Sequence, residues 1–179
     1  MNTIDESNIE LVAATTYFLE MNTAPRVPVT IQPGVDFYIL PKPIEAAKYR
    51  RYYYGVGEAY SWLDRMVLPD ASLEILINTD NTTIYVMQVN GVDAGFAEFV
   101  ITDSFVEIQY FGLMPAFIGK GWGQFFLQWV IARAWSFGKT KVQLNTCTLD
   151  HPKALPNYQK AGFIVVRQEV QQRRQLKKA

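Results

Sequence analysis

The chain has 179 residues, 49% of them apolar and 19% charged, and its 17 acidic and 17 basic side chains cancel to zero net charge. This size and composition suit a single globular domain over residues 1–179 and exclude the disordered and collagenous classes. Without a basic excess there is no electrostatic case for a nucleic-acid or membrane-surface partner.

Cys147 is the only cysteine, which excludes an intrachain disulfide or a cysteine-based zinc site and suits a reducing cytoplasm. Near the N-terminus Asp5, Glu6 and Glu10 stand where a signal peptide would carry basic residues. No apolar run approaches the ~18 residues of a membrane span. The expectation is a soluble, cytoplasmic protein.

In chain order, Leu11 to Met21 reads as a first strand, rich in apolar, aromatic and Thr residues. Pro25, Pro28 and Pro33 make a loop, a short extended piece runs from Phe37 to Leu40, and a helix follows from about Ile44 to Tyr54. Tyr49, Tyr53 and Val56 recur at helical spacing, with Tyr60 and Trp62 beyond a Gly55/Gly57 break. That stripe reads either as core or as the wall of a substrate pocket. A second helix spans about Asp70 to Asn78, with Asp70 as its cap.

The period then changes. Thr83 to Val89, Gly95 to Ile101 and Phe105 to Leu113 read as three antiparallel strands, the first two joined by an Asn90-Gly91 hairpin turn. Gly123 to Phe137 is an apolar helix closed by Gly138, and Lys141 to Thr148 is a strand. Pro152 to Lys160 is a short helix stopped by Gly162, and Phe163 to Val170 is a last strand. Residues 171–179 read as a loose polar tail. The pattern implies an α/β (α+β) fold: a mixed, mostly antiparallel sheet flanked by helices. A helical crossover makes the Phe105 and Lys141 strands parallel.

Gly119, Gly121 and Gly123 lie between a strand end and the start of the long helix, where backbone N–H groups lack partners and the helix dipole favours an anion. A Walker-type loop is excluded because Gly121, not Ser or Thr, follows Lys120. A dinucleotide turn is disfavoured because this one follows an antiparallel meander, with no acidic residue between Gly123 and Asp150.

The run Ile118-Gly119-Lys120-Gly121-Trp122-Gly123 resembles the signature of the GNAT superfamily of acyl-CoA N-acyltransferases: Gln or Arg, two residues, Gly, one residue, Gly or Ala. Ile118 departs from it at the first position, which removes a polar side chain and leaves the backbone cradle. A second match follows: the family's Asn, Ala, Tyr and Gly-Phe spacing is met by His151, Ala154, Tyr158, Gly162 and Phe163, with His151 in place of Asn. The likeness spans roughly Tyr85 to Val170. The segment Thr146 to Pro152 is similar to a bacterial branch of the superfamily.

The resemblance implies acetyl-CoA as co-substrate and an amine acceptor, small molecule or peptide, reacting directly in a ternary complex. It implies a GNAT-like sheet that splays between its two central parallel strands. It places coenzyme contacts at Phe111, Gly112 and Leu113, along Ile118 to Gly123, and at His151 and Tyr158. Tyr158 stands where many relatives protonate the departing thiolate, and a phenol is protonated at neutral pH. Glu107, eleven residues before Ile118, matches the catalytic glutamate of some relatives, with Glu98 as its rival. Strand alternation puts Glu107, Gln109 and Phe111 on one face and Val106, Ile108 and Tyr110 on the other.

His151, the only histidine, precedes Pro152 at a helix start and reads as a cap or coenzyme contact. No metal site is expected, because one histidine without clustered carboxylates cannot build one. Two alternatives stay open: a non-catalytic acyl-CoA-binding module, and an enzyme using another acyl-CoA. Dimerisation is common among such relatives, though no residue specifies it.

Overall fold

The structure is a computed structural model that describes residues 3–26 and 28–177. Its centre is a seven-stranded sheet built from β1 (Ile9–Met21), β2 (Val35–Ile39), β3 (Thr82–Val89), β4 (Val92–Ile101), β5 (Phe105–Leu113), β6 (Lys141–Cys147) and β7 (Ile164–Leu176). The spatial order is β2-β3-β4-β5-β6-β1-β7, antiparallel throughout except for β5 and β6. The sheet is mixed and mostly antiparallel, as expected.

Helices cover both faces. On one, α1 (Ala46–Gly57) and α2 (Asp70–Ile77) pack Tyr49, Tyr53, Val56, Leu73 and Ile77 against Ile84, Val86 and Phe96. On the other, α3 (Trp122–Trp135) packs Phe125, Phe126, Val130 and Ile131 against Ala97, Phe99, Val106 and Ile108. Each fully buried side chain such as Phe126 contributes about 1.5–3 kcal/mol. The short α4 (Ala154–Lys160) leads into β7. Between β3 and β4, Asn90 (φ 50°) and Gly91 (φ 76°) form the turn expected of an Asn-Gly pair, whose twist matches the strands it joins.

Three expectations are corrected. Residues 171–176, read as a loose tail, are the second half of β7 and pair with β1 from Ala14 opposite Gln171 to Ile9 opposite Leu176. Their polar side chains do not oppose pairing, because an antiparallel strand tolerates a solvated face, and β1 supplies the partner backbone; residues 178 and 179 lie outside the described residues. Asp70 does not cap α2: Pro69 takes the cap position, and the Asp70 carboxylate accepts from Arg50 Nη1 at 2.5 Å. A guanidinium that is 1% exposed needs that counter-charge.

The third correction concerns which way β5 faces. Glu98 pairs with Tyr110 and Phe99 with Ile108, so Gln109 is an extra, bulged residue. The bulge inverts the alternation beyond it. Phe111 joins Val106 and Ile108 on the α3 face, and Tyr110 packs on the α1 face instead.

Candidate active site

The parallel ladder of β5 and β6 runs from Phe105 opposite Lys141 to Ile108 opposite Leu144 and stops there. Beyond it residues 109–113, Asn145 and Cys147 border a cavity of about 620 Å³. A bulge bends and twists the strand that carries it, so Gln109 marks where β5 leaves its neighbour. Backbone groups of this stretch that face β6 have lost their ladder partners and open on the cavity.

The glycine turn forms one end. Gly119 (φ 77°) and Gly121 (φ 87°) hold the left-handed conformation that L side chains resist, and a Cβ added at either would meet nothing within 4 Å. Glycine is therefore required by the backbone there, not by crowding. Gly121 is the N-cap of α3 and supplies no side-chain bond to the first turn. The leading N–H groups of a 14-residue helix are thus without a side-chain partner at the positive end of its dipole, a setting that suits an anion.

Tyr158 of α4 lines the cavity and meets Phe163 edge-on at 6.2 Å. Burial first, and then the charge of Asp150, push its phenol well above the usual tyrosine range. Asp150 itself accepts from Trp62 Nε1 (2.9 Å), Thr146 Oγ1 (2.7 Å) and the Cys147 N–H (2.9 Å). Burial, with Asp150 adding to it, also raises the Cys147 thiol. His151 stacks edge-on with Tyr60 at 5.8 Å, and its Nδ1 accepts from the Lys153 N–H.

Phe111, Gly112, Leu113, Ile118, Gly119, Gly121, Gly123, His151 and Tyr158, all singled out from sequence, line this one cavity. Lys120 and Trp122 do not: Lys120 Nζ lies 5.9 Å from the Phe117 ring, and Trp122 packs edge-on against Phe125. Glu107 and Glu98 are also outside the lining. Glu107 sits on β5 opposite Gln143, where the ladder is still closed, and burial raises its carboxyl while Gln143 pulls it back. Glu98 is 1% exposed and accepts from Tyr49 Oη (2.5 Å) and Arg65 Nη2 (3.2 Å). Burial raises its carboxyl against the pull of Arg65.

The aromatic stripe is divided by the fold. Tyr49 is core, Tyr53 is equally buried but also borders the cavity, and Tyr60 and Trp62 line it from partly exposed positions. Sequence reading missed Phe18 of β1 and Arg173 and Arg174 of β7, which also line the cavity. No local signal points to them, because β1 reaches the site only by lying between β6 and β7.

Among the described residues no group of three or more His, Cys, Asp or Glu is placed to hold a metal, and no helix is long and apolar enough to cross a membrane. No curated protein matches the sequence. Among solved structures, a GCN5-related N-acetyltransferase from Sphaerobacter thermophilus shares the fold with a TM-score of 0.65 and 17% identity, over 96% of this chain and 54% of that one. One from Kribbella flavida gives 0.53 and 16%, over 94% and 60%. The chain thus spans between about half and two thirds of the length of these two relatives. An aminoglycoside acetyltransferase from an uncultured soil metagenomic sample gives 0.57 and 16%, over 74% and 90%. The model of the acetyltransferase (GNAT) family matches residues 47–163, more than half of the chain, and meets the same parted strands and glycine turn; the chain belongs to that family.

Proposed function

We propose that residues 1–179 form one domain that transfers an acetyl group from acetyl-CoA to a primary amine, on a small molecule or peptide, by direct attack in a ternary complex. The observation that carries this reading is the uncapped start of α3 opening on the gap between β5 and β6. The residues present fit the coenzyme. Left-handed glycines with open space beside them admit a diphosphate to the N–H groups at 119–123. The unpaired edge of β5 at Phe111 to Leu113 offers backbone groups to the pantetheine arm and the acetyl carbonyl.

In the reaction the amine nitrogen bonds to the carbonyl carbon, the carbon–sulfur bond breaks, and the sulfur takes a proton. Tyr158 is the proton donor, since its raised phenol stays protonated across the working range. Glu107 receives the amine proton through water, because its side chain does not line the cavity. Cys147 does line it, but a raised thiol is a poor nucleophile, which favours direct transfer over an acyl-cysteine.

A second reading has an observation in its favour. Neither Glu98 nor Glu107 reaches the cavity directly, as would suit a module that binds acyl-CoA without turning it over. Calorimetry with acetyl-CoA followed by thiol release across an amine panel decides between the two. Binding with release supports the enzyme, binding without release supports the module, and no binding at millimolar concentration removes both. Parallel titration with longer acyl-CoAs identifies the donor.

A further inference from the structure

We propose that the acceptor is a primary amine that also carries a carboxylate, and that Arg173 binds this carboxylate where it lines the cavity beside Asp64 and Arg174. The proposal rests on the acetyltransferase reading above and adds to it the charge of the acceptor.

The charges around Arg173 do not balance. Asp64, Arg173 and Arg174 line the cavity together. Arg174 Nη1 donates to Asp64 Oδ1 at 2.7 Å, whereas Arg173 Nη1 is 3.8 Å from Asp64 Oδ2, beyond hydrogen-bond length. One carboxylate therefore serves two guanidinium groups, and Arg174 holds the better geometry. Arg173 Nη2 donates to Thr16 Oγ1 at 3.2 Å, a neutral acceptor. Arg173 Nε is buried and has no hydrogen-bond partner. A buried donor left unpaired costs about 1–3 kcal/mol, so the Arg173 guanidinium is left under-satisfied by the protein itself.

The same lining disfavours an acceptor recognised through several positive charges. Among the described residues its only carboxylates are Asp64 and Asp150. Asp64 is hydrogen-bonded by Arg174 and faces Arg173, and Asp150 accepts from Trp62, Thr146 and Cys147. Neither presents an unopposed negative charge to a second ammonium. A dianionic phosphate would call on both guanidinium groups, but Arg174 is committed to Asp64. A single open guanidinium suits a monoanion, and carboxylate is the one its planar N–H groups match best. Trp62, on the same cavity, offers apolar surface to the body of such a molecule.

The test is a kinetic panel with acetyl-CoA in which each α-amino acid is compared with its carboxamide and its decarboxylated amine, with aminoalkyl phosphates and an aminoglycoside as further arms. The expected result is at least about a tenfold higher kcat/KM for the carboxylate member of the best series, the scale of one charge-assisted contact. Arg173→Gln should abolish that preference and leave the KM for acetyl-CoA unchanged, and Arg173→Lys should restore it in part. Far-ultraviolet circular dichroism and thermal melts check that both variants fold. Equal or better rates for the carboxamides, amines, phosphates or aminoglycoside overturn the proposal, as does an unchanged preference in Arg173→Gln. If acetyl-CoA binds and amines turn over without regard to the carboxylate, this proposal fails alone; if acetyl-CoA does not bind, the acetyltransferase reading fails and takes it along.

Discussion

Trp62 Nε1 donates to Asp150 Oδ1 at 2.9 Å, tying the turn after α1 to the loop between β6 and α4 across 88 positions of sequence. Both residues line the cavity, so one hydrogen bond joins the half of the chain that carries the aromatic stripe to the half that carries Tyr158. Asp150→Ala leaves Trp62 Nε1, Thr146 Oγ1 and the Cys147 N–H without their acceptor, at an expected cost of about 2–3 kcal/mol. Trp62→Phe removes one of the three bonds and should cost about 1 kcal/mol. Urea denaturation measures both; an Asp150→Ala variant as stable as its parent would show that the bridge carries no weight.

The glycines of the turn should not be equivalent. Gly119→Ala and Gly121→Ala force an L residue to positive φ, at about 1–2 kcal/mol each, and should weaken acetyl-CoA binding by more than about tenfold through a displaced cradle. At Gly123, inside α3, an added Cβ would meet Leu113 Cδ1 at an ordinary 3.8 Å. Gly123→Ala should therefore be neutral or stabilising by up to about 1 kcal/mol. Denaturant melts and calorimetry on the three variants check the order, and a uniform loss across them contradicts it.

Tyr158→Phe keeps the ring against Phe163 and removes the proton. The expected loss in kcat is about 100-fold or more, with the KM for acetyl-CoA little changed. An acid works only while protonated, so activity falls as pH rises through the phenol's raised pKa. The alkaline limb should thus lie above the usual tyrosine value and vanish in the variant. Full turnover by Tyr158→Phe with chemistry rate-limiting excludes the role.

Glu107 must be ionised to accept a proton, and burial raises its carboxyl. The rate should fall as pH drops through that raised value, placing the acidic limb above the ordinary glutamate pKa of about 4.3, and Glu107→Gln should erase the limb. The stability sign runs the other way. A raised folded-state pKa favours the fold below the unfolded value, and that contribution is lost as pH rises through the folded one. At neutral pH Glu107→Gln should melt no lower than its parent. A pH-rate profile unchanged by the substitution removes Glu107 from the mechanism.

Cys147 separates direct transfer from a two-step route. Cys147→Ala should keep kcat within about threefold, because a thiol raised by burial contributes little thiolate. Trapping of an acetylated Cys147 by mass spectrometry after brief mixing with acetyl-CoA would contradict direct attack.

Legibility from sequence followed the range of the physics. The glycine turn and the Asn90-Gly91 hairpin were readable because a left-handed φ and a helix start are settled by a few neighbouring residues. The bulge at Gln109 was not, because an extra residue shows only against the strand opposite, and it moved Tyr110 and Phe111 to faces that simple alternation denied them. Asp70 looked like a cap by position, yet the buried charge on Arg50, twenty residues away, claimed its carboxylate.

By itself the sequence determined the order of helices and strands from Thr82 onward and the glycine turn before α3, both properties of local dihedrals and hydrophobic period, while the spacing of its motifs carried the resemblance to the family. Tertiary structure alone decided that β1 lies between β6 and β7, that residues 171–176 finish a strand, and that Arg173 meets Asp64 and Phe18 in one cavity. The physical reason is distance along the chain. Strand pairing and charge balance depend on partners more than a hundred residues away, and no local propensity carries that information.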